Sequence, residues 1–219
     1  TGVITLTFGH GYIMLTIISI IFGALVGSFL NVCIFRLPKK ESIIWPGSHC
    51  PHCKKPIKFY DNIPLISYIL LMGKCRHCKK SISFQYPLVE GTTALCSLFL
   101  IMKFGPSLGY LFYFALVAAL IVITVIDLYH QIIPDVISLP GIGVGLIASL
   151  ILPQNTFLNS LIGVLLGGGS LFIVGTLYQW FFKREGMGGG DVKLLAMIGA
   201  LLGWKAVILT ILLSSLIGS

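Results

Sequence analysis

Long apolar runs separated by polar breaks dominate the chain. The first run, residues 11–35, is long enough to cross the hydrocarbon core of a bilayer, which takes about 20 apolar residues. A polar region, residues 38–87, follows it. The later runs predict six more spans, at residues 88–104, 108–127, 136–152, 157–182, 192–204 and from about 206 to the end. The pattern therefore predicts an all-α polytopic membrane protein with about seven transmembrane helices in the supplied chain.

Composition and charge support this interpretation and orient the chain. The chain is 56% hydrophobic and only 10% charged, whereas about a quarter of the residues of a soluble domain are charged. Ten of the fifteen Lys and Arg residues lie between Arg36 and Lys80. Loops rich in Lys and Arg stay in the cytoplasm, so this charge predicts a cytoplasmic insert rather than a nucleic-acid site. We expect a lipid bilayer as a partner and no nucleic acid.

The polar insert contains two Cys-x-x-Cys pairs, Cys50 with Cys53 and Cys75 with Cys78, with 21 residues between them. This spacing is slightly longer than the usual tetracysteine zinc range. Four thiolates suit a closed tetrahedral Zn²⁺ site, which can hold together a small domain with little hydrophobic core. Two disulfides or redox motifs are the alternative, which a reducing compartment disfavours. Three histidines are further possible ligands: His49, His52 and His77.

The first predicted span contains two features that favour contact with other helices. Gly23 and Gly27 have a spacing that lets a neighbouring helix approach closely. Asn31 is a polar amide within the span, and such a group normally faces other helices or a cavity. An interhelical hydrogen bond without chemistry and a functional role both remain open for this residue.

Two carboxylates lie at the ends of predicted spans. Asp127 ends the third span, and Asp191 directly precedes the sixth, after the glycine-rich residues 186–190. An N-cap at the membrane edge is the alternative role for Asp191. Counting crossings from a cytoplasmic insert places both carboxylates at the cytoplasmic side, at similar depth. A carboxylate within a membrane is costly, so two at one level favour a functional explanation. Asp135 is a rival for Asp127, although its position after Pro134 is typical of a helix N-cap.

Two Asp side chains that share a proton supply an acid and a base together. The ionised carboxylate can activate a water molecule that attacks an amide carbonyl, while the protonated one stabilises the oxyanion. The sequence contains neither a G-x-S-x-G elbow nor an H-E-x-x-H motif. A transporter with two intramembrane Asp residues is an alternative, although the two halves of the chain show no inverted repeat.

Five motifs occur one after another along the chain. They are Gly-Ser-Phe-Leu-Asn-Val-Cys-Ile-Phe-Arg-Leu-Pro at 27–38, the two Cys-x-x-Cys pairs, Tyr-Pro-Leu-Val-Glu at 86–90, the stretch 127–135, and Gly-Gly-Gly-Asp at 188–191. Together they resemble the bacterial type IV prepilin peptidases, which belong to the G-x-G-D aspartyl proteases of membranes. The resemblance runs from about residue 27 to the end of the chain.

The resemblance implies an activity and its residues. Asp127 and Asp191 would be the catalytic pair, beside an active-site loop formed by Gly188, Gly189 and Gly190. The substrates would be type IV prepilins and type II secretion pseudopilins, whose short basic leader is removed at the cytoplasmic face of the bacterial inner membrane. N-methylation of the new N-terminus with S-adenosylmethionine would follow. Three polar residues match family positions and are candidates for substrate or cofactor contact, or are structural: Asn31, Arg36 and Glu90.

We expect three regions: a first transmembrane helix at residues 1–37, a cytoplasmic zinc-ribbon-like insert at 38–87, and a six-helix protease domain at 88–219. Members of the family continue past the seventh span, so we expect an eighth helix in the full protein and a trimmed C-terminal end here. A presenilin-like protease is a further alternative, but it leaves the insert without a role. The insert is also interpretable as a binding module whose basic residues contact a partner or anionic lipid heads.

Overall fold

The computed structural model describes the backbone of residues 2–151, 155–183 and 188–217, with side chains from residue 12 onwards. Eight α-helices run through these ranges, which contain no strand beyond two isolated bridges. The helices are α1 (Gly2–Arg36), α2 (Ile66–Leu70), α3 (Gln85–Phe104), α4 (Leu108–His130), α5 (Asp135–Ile151), α6 (Phe157–Phe182), α7 (Gly189–Leu202) and α8 (Trp204–Ile217). The all-α prediction is confirmed. Two residues of the predicted glycine-rich stretch, Gly186 and Met187, lie outside the described residues.

Helix length and composition identify the membrane segments. Four described helical segments are long and apolar enough to cross a bilayer: Tyr12–Lys39, Gln85–Phe104, Leu108–His130 and Phe157–Phe182. Helices α5 and α8 are apolar but shorter. Helix α7 has 14 residues, which corresponds to about 21 Å. The polytopic architecture is therefore confirmed, and the crossing of the membrane by α5, α7 and α8 stays a prediction.

The chain divides into two compact units, Thr1–Tyr129 and His130–Ser219. In the first unit, α1 packs against α3 at the two glycines expected to permit close contact. A Cβ atom on Gly23 would lie 2.7 Å from the Cα of Ala94, and one on Gly27 would lie 2.7 Å from the Cα of Glu90. Because a side chain at either position would separate the helices, the predicted role of these glycines is confirmed.

Polar side chains also link the helices of the first unit. The hydroxyl groups of Ser19 on α1 and Ser97 on α3 are 2.8 Å apart, and Ser97 is 2.7 Å from the hydroxyl of Tyr110 on α4. Tyr110 also belongs to a buried cluster with Ile101 and Phe114. Three membrane helices are therefore joined by one hydrogen-bonded chain next to an apolar core.

Helix α7 is the central element of the second unit and contacts α5, α6 and α8. The backbones of Gly163 on α6 and Gly199 on α7 touch, so neither position has room for a Cβ atom. Gly145 on α5 lies equally close to α7, since a Cβ there would be 2.8 Å from the carbonyl carbon of Ala200. This close packing fixes α7 and positions the residues at its N-terminus.

Candidate active site and cysteine cluster

Asp191 lies in the first turn of α7. Gly188 occupies the N-cap position, with extended backbone angles, and the Asp191 N–H donates to its carbonyl oxygen at 3.2 Å. The Asp191 Oδ2 atom would lie 3.6 Å from a Cβ atom on Gly188, so the carboxylate turns back toward the start of the helix. The unpaired N–H groups at a helix N-terminus favour negative charge. The predicted position of Asp191 at a helix N-terminus is confirmed.

The three consecutive glycines before Asp191 have different surroundings. A Cβ atom on Gly190 would lie 2.9 Å from the Cβ of Ile133. A Cβ on Gly188 would make only ordinary contacts, and one on Gly189 would have no neighbour within 4 Å. Only position 190 therefore requires glycine for close approach of another segment.

Asp127 lies in the last turn of α4, where the side chain is exposed. The preceding residue, Ile126, is fully buried, and the following residue, Leu128, is 75% exposed. Asp127 thus lies at the edge of the packed face of α4. The structure places the two predicted catalytic carboxylates at the C-terminal end of one helix and the N-terminal end of another.

Asp135 has a different environment. Helix α5 begins at Asp135 itself, and the N–H groups of Ile137 and Ser138 donate to the carbonyl oxygen of Pro134. Pro134 rather than Asp135 therefore holds the N-cap position, and the N-cap interpretation is wrong by one residue. The Asp135 carboxylate instead accepts two hydrogen bonds from the Lys193 ammonium, at 2.7 and 2.8 Å.

The four cysteines of the insert come together. The Sγ atoms of Cys50, Cys53, Cys75 and Cys78 all lie within 4.8 Å of one another. Each pair lies in a turn of the same form, because the N–H of the first cysteine donates to the carbonyl of the residue five positions later, Lys55 or Lys80. The two turns form one four-thiol cluster, and the three insert histidines are not part of it.

The cluster has the geometry of a tetrahedral metal site. Zinc–sulfur bonds of about 2.3 Å place tetrahedral ligands about 3.8 Å apart, and the Sγ atoms of Cys50 and Cys78 are 3.9 Å apart. All four thiols are free of disulfides. Hydrogen bonds from the backbone N–H groups of Cys78 and His77 lower the pKa of Cys75 to about 6. Against a backbone hydrogen bond from Lys80, burial and the neighbouring thiols raise the pKa of Cys78 to about 11, so the first thiolate of the cluster forms at Cys75. The cluster can therefore hold a metal ion.

An ion pair that the sequence did not indicate joins two segments of the insert. The Arg76 guanidinium donates to both carboxylate oxygens of Asp61, at 2.6 to 3.0 Å. The hydrogen bonds and positive charge of Arg76 hold the pKa of Asp61 below its ordinary value. The partners are 15 positions apart and no repeating pattern relates them, so the sequence offered no signal for this contact.

The three polar residues considered for substrate or cofactor contact are buried and join elements of the first unit: Asn31 joins α1 to the start of α3, whereas Glu90 and Arg36 join the insert to α3 and α1. Asn31 donates to the carbonyl of Tyr86 at 3.1 Å, and Glu90 accepts from the N–H of Leu65 at 2.8 Å. Arg36 donates to backbone carbonyls of the segment that follows α1. The Oδ1 atom of Asn31 is the one buried side-chain N or O atom of the described residues that lacks a hydrogen-bond partner.

Comparison with known proteins identifies the family. The bacterial peptidase A24 N-terminal domain matches residues 21–104, and the type IV leader peptidase family matches residues 114–219. A prepilin leader peptidase/N-methyltransferase from Pseudomonas aeruginosa is 40% identical over an alignment that covers 92% of this chain and 77% of the relative. The chain belongs to the type IV leader peptidase family. It is thus a membrane enzyme, as the sequence motifs predicted.

Two further members of the family extend the comparison. Proteins of the same name from Aeromonas hydrophila and Neisseria gonorrhoeae are 37% and 36% identical, over 91% and 90% of this chain and 77% and 78% of the relatives. A search of the solved structures found no significant match. Within the family match, the cysteine cluster falls in the N-terminal domain, and Asp127 and Asp191 fall in the peptidase domain.

Proposed function

We propose that this chain removes the leader peptide from type IV prepilins and type II secretion pseudopilins, with Asp127 and Asp191 as its catalytic residues. The name of the relatives supports the substrate class and the peptidase activity. One structural observation gives the strongest support for this choice of residues. Asp191 lies in the first turn of α7, next to a glycine N-cap, within the region that matches the peptidase family.

In the proposed mechanism, one carboxyl group acts as the base and the other acts as the acid. Asp191 carries the negative charge, because the N–H groups at the start of α7 stabilise it, and takes a proton from the attacking water. Asp127 carries the shared proton and donates it as charge develops on the carbonyl oxygen. The carbonyl oxygens at the C-terminal end of α4 are acceptors, which suits a protonated carboxyl group at that position.

We assign the metal of the cysteine cluster as Zn²⁺ and its role as structural. Four thiolates complete a tetrahedral coordination shell and leave no open position for a substrate or a water molecule. The small insert at residues 38–87 contains few buried apolar side chains, so metal binding would supply much of its folding free energy. Catalysis would belong to residues 88–219.

Methyl transfer is the second proposed activity. The name of the relatives includes N-methyltransferase, and S-adenosylmethionine would supply the methyl group for the new N-terminal amine. The buried, unpaired Oδ1 atom of Asn31 can accept a hydrogen bond from an N–H or O–H group, which both the cofactor and the amine carry. This observation favours Asn31 over Arg36 and Glu90 as a contact to either molecule.

The Lys- and Arg-rich insert supports the orientation that we propose. Nine basic and two acidic residues lie in residues 38–87, which favours retention of this segment in the cytoplasm. The chain would therefore reside in the bacterial inner membrane, with the insert and the catalytic carboxylates on the cytoplasmic side.

The deciding experiment measures cleavage of a purified prepilin by the detergent-solubilised chain. Asp127→Asn and Asp191→Asn should each abolish cleavage, while circular dichroism and gel filtration show a folded protein. Cleavage near the parent rate by either variant would disprove the assignment of that residue. N-terminal methylation is measured separately on a precleaved pilin, so that Asn31→Leu reports on methyl transfer independently of the peptidase step.

A further inference from the structure

The segment that follows α1 is tied to the last residue of that helix. The Arg36 guanidinium donates to the carbonyl oxygens of Ser42 and Pro46, at 2.8 and 2.5 Å. Arg36 itself is only 6% exposed. Residues 42–46 therefore form a loop, here called the anchor loop, whose two ends are fixed to the end of α1.

The anchor loop presents apolar side chains to its surroundings. Ile44 and Trp45 are each 77% exposed, which is unusual for large apolar residues next to each other in an irregular segment. The candidate membrane span of α1 ends at Lys39, so Arg36 holds the loop at the level where the span leaves the hydrocarbon core. Tryptophan is enriched at this level of membrane proteins.

A cavity joins the anchor loop to the lipid-facing side of α1. Its volume is about 280 Å³. Its apolar lining includes Ile43 and Ile44 of the loop and Leu25 and Phe29 of α1, and its polar lining includes Ser28, Arg36, Ser48 and Asn62. Leu25 and Phe29 belong to the membrane span and are 55% and 50% exposed. The apolar surface of the loop is therefore continuous with a surface that faces acyl chains.

Two exposed lysines and one exposed glutamate, Glu41, lie between α1 and the anchor loop. The Lys39 ammonium lies 3.4 Å from the centre of the Phe35 ring, and the neighbouring Lys40 is exposed. A surface that combines exposed Trp and Ile with lysines matches the interfacial layer of an anionic membrane. We propose that the anchor loop inserts Ile44 and Trp45 into this layer and binds anionic phospholipid, with an acyl chain against Leu25 and Phe29.

Fluorescence of Trp45 in the full chain tests the proposal. Trp180→Phe and Trp204→Phe leave Trp45 as the single tryptophan, and the protein is reconstituted in vesicles of phosphatidylcholine and phosphatidylglycerol. Bromine placed near the glycerol end of the acyl chains should reduce its emission about twofold, and bromine near the methyl end should reduce it less, as expected at the interface. Unchanged emission with both lipids would place the loop in water and overturn the proposal.

A matched control places the tryptophan elsewhere in the insert. Lys55→Trp, in a chain whose native tryptophans are all phenylalanine, reports on the exposed turn of the first cysteine pair. Its emission should respond to the aqueous quencher acrylamide and not to brominated lipid; equal quenching by lipid at both positions would refute a specific role for the loop. Shielding of Trp45 from both quenchers would mean that a protein surface covers it, which also overturns the proposal.

The headgroup preference is tested in the same system. Replacing phosphatidylglycerol by phosphatidylcholine removes the negative charge that attracts Lys39 and Lys40, so quenching by shallow bromine should decrease. Quenching that does not depend on phosphatidylglycerol would refute binding of anionic lipid.

Discussion

Glu90 on α3 accepts a hydrogen bond from the backbone N–H of Leu65, and the two heavy atoms are 2.8 Å apart. Leu65 has a positive φ of 61° and directly precedes α2, the short helix of the insert. A left-handed backbone is unfavourable for leucine, so its surroundings must stabilise this conformation. A carboxylate of a membrane helix therefore fixes an irregular turn of the cysteine-containing insert.

Removal of this acceptor should destabilise the insert. Glu90→Ala leaves the Leu65 N–H without its partner, which costs about 1–3 kcal/mol, and protease should cut the insert faster than in the parent. Glu90→Gln keeps an oxygen at the same position and should be much milder. Equal damage by the two variants would contradict a hydrogen-bonding role, and a folded Glu90→Gln chain that loses methylation would instead support a chemical role for the charge.

Metal content should depend on the four insert cysteines and on no other. The parent should bind about one Zn²⁺ per chain, as expected for a single tetrahedral site, and Cys50→Ser or Cys78→Ser should lower that content severalfold. Cys96→Ser is the control, because Cys96 lies within α3 and outside the cluster. Elemental analysis of purified protein provides the measurement. Full zinc content in a Cys78→Ser chain would exclude the four-thiol site.

The glycines before Asp191 should differ in their tolerance of alanine. Gly189→Ala adds a methyl group in open space within a helix and should leave cleavage within about twofold of the parent. Gly190→Ala places its Cβ against the Cβ of Ile133, an atom that side-chain rotation does not move, so α7 or Ile133 must shift. We expect cleavage to fall by at least about tenfold, since small displacements of catalytic groups are costly.

The same prepilin assay compares these two glycine variants at equal amounts of folded protein. A Gly189→Ala chain as impaired as Gly190→Ala would show that the loop needs glycine for flexibility rather than for close approach.

Asp135→Asn should retain cleavage. The Asp135 carboxylate is 57% exposed and paired with Lys193, which makes it one partner of a surface ion pair on α5 and α7. Such pairs contribute about 0–1 kcal/mol, so Asp135→Asn and the matched Lys193→Gln should shift thermal unfolding slightly and by similar amounts. Loss of cleavage in Asp135→Asn alone, with unchanged unfolding, would make Asp135 rather than Asp127 the candidate partner of Asp191.

The membrane helices could be predicted because the length of an apolar run is read from one segment alone, without knowledge of what that segment packs against. The start of α3 and the end of α7 differ from the predicted limits, and each difference has a local cause. Helix α3 begins at Gln85 rather than near residue 88 because proline is tolerated in a first turn and Pro87 does not prevent it. Helix α7 ends at Leu202 because Gly203 adopts a φ of +83°, and its N–H donates to the carbonyl of Gly199.

Contacts within the insert could not be predicted in the same way. The cysteine spacing indicated a metal cluster, since both pairs follow a fixed rule of ligand geometry. The bonds from Arg36 to Pro46, from Leu65 to Glu90 and from Arg76 to Asp61 each have at least one partner in an irregular segment. No periodicity relates such partners, so only the folded chain reveals them. The roles of Asp127 and Asp191 stay predictions because the structure gives their positions and not their chemistry.

The hydrogen bond between Ser19 and Ser97 joins residues 78 positions apart, and most of the chain between them belongs to the insert. Loop closure costs entropy that increases with the length of free chain between the partners. An insert folded around the proposed metal, and tied to α1 and α3 at Arg36 and Glu90, would shorten that free chain. Occupancy of the proposed zinc site and the pairing of α1 with α3 would therefore be thermodynamically linked, and loss of the metal from the insert would weaken an interface between two membrane helices.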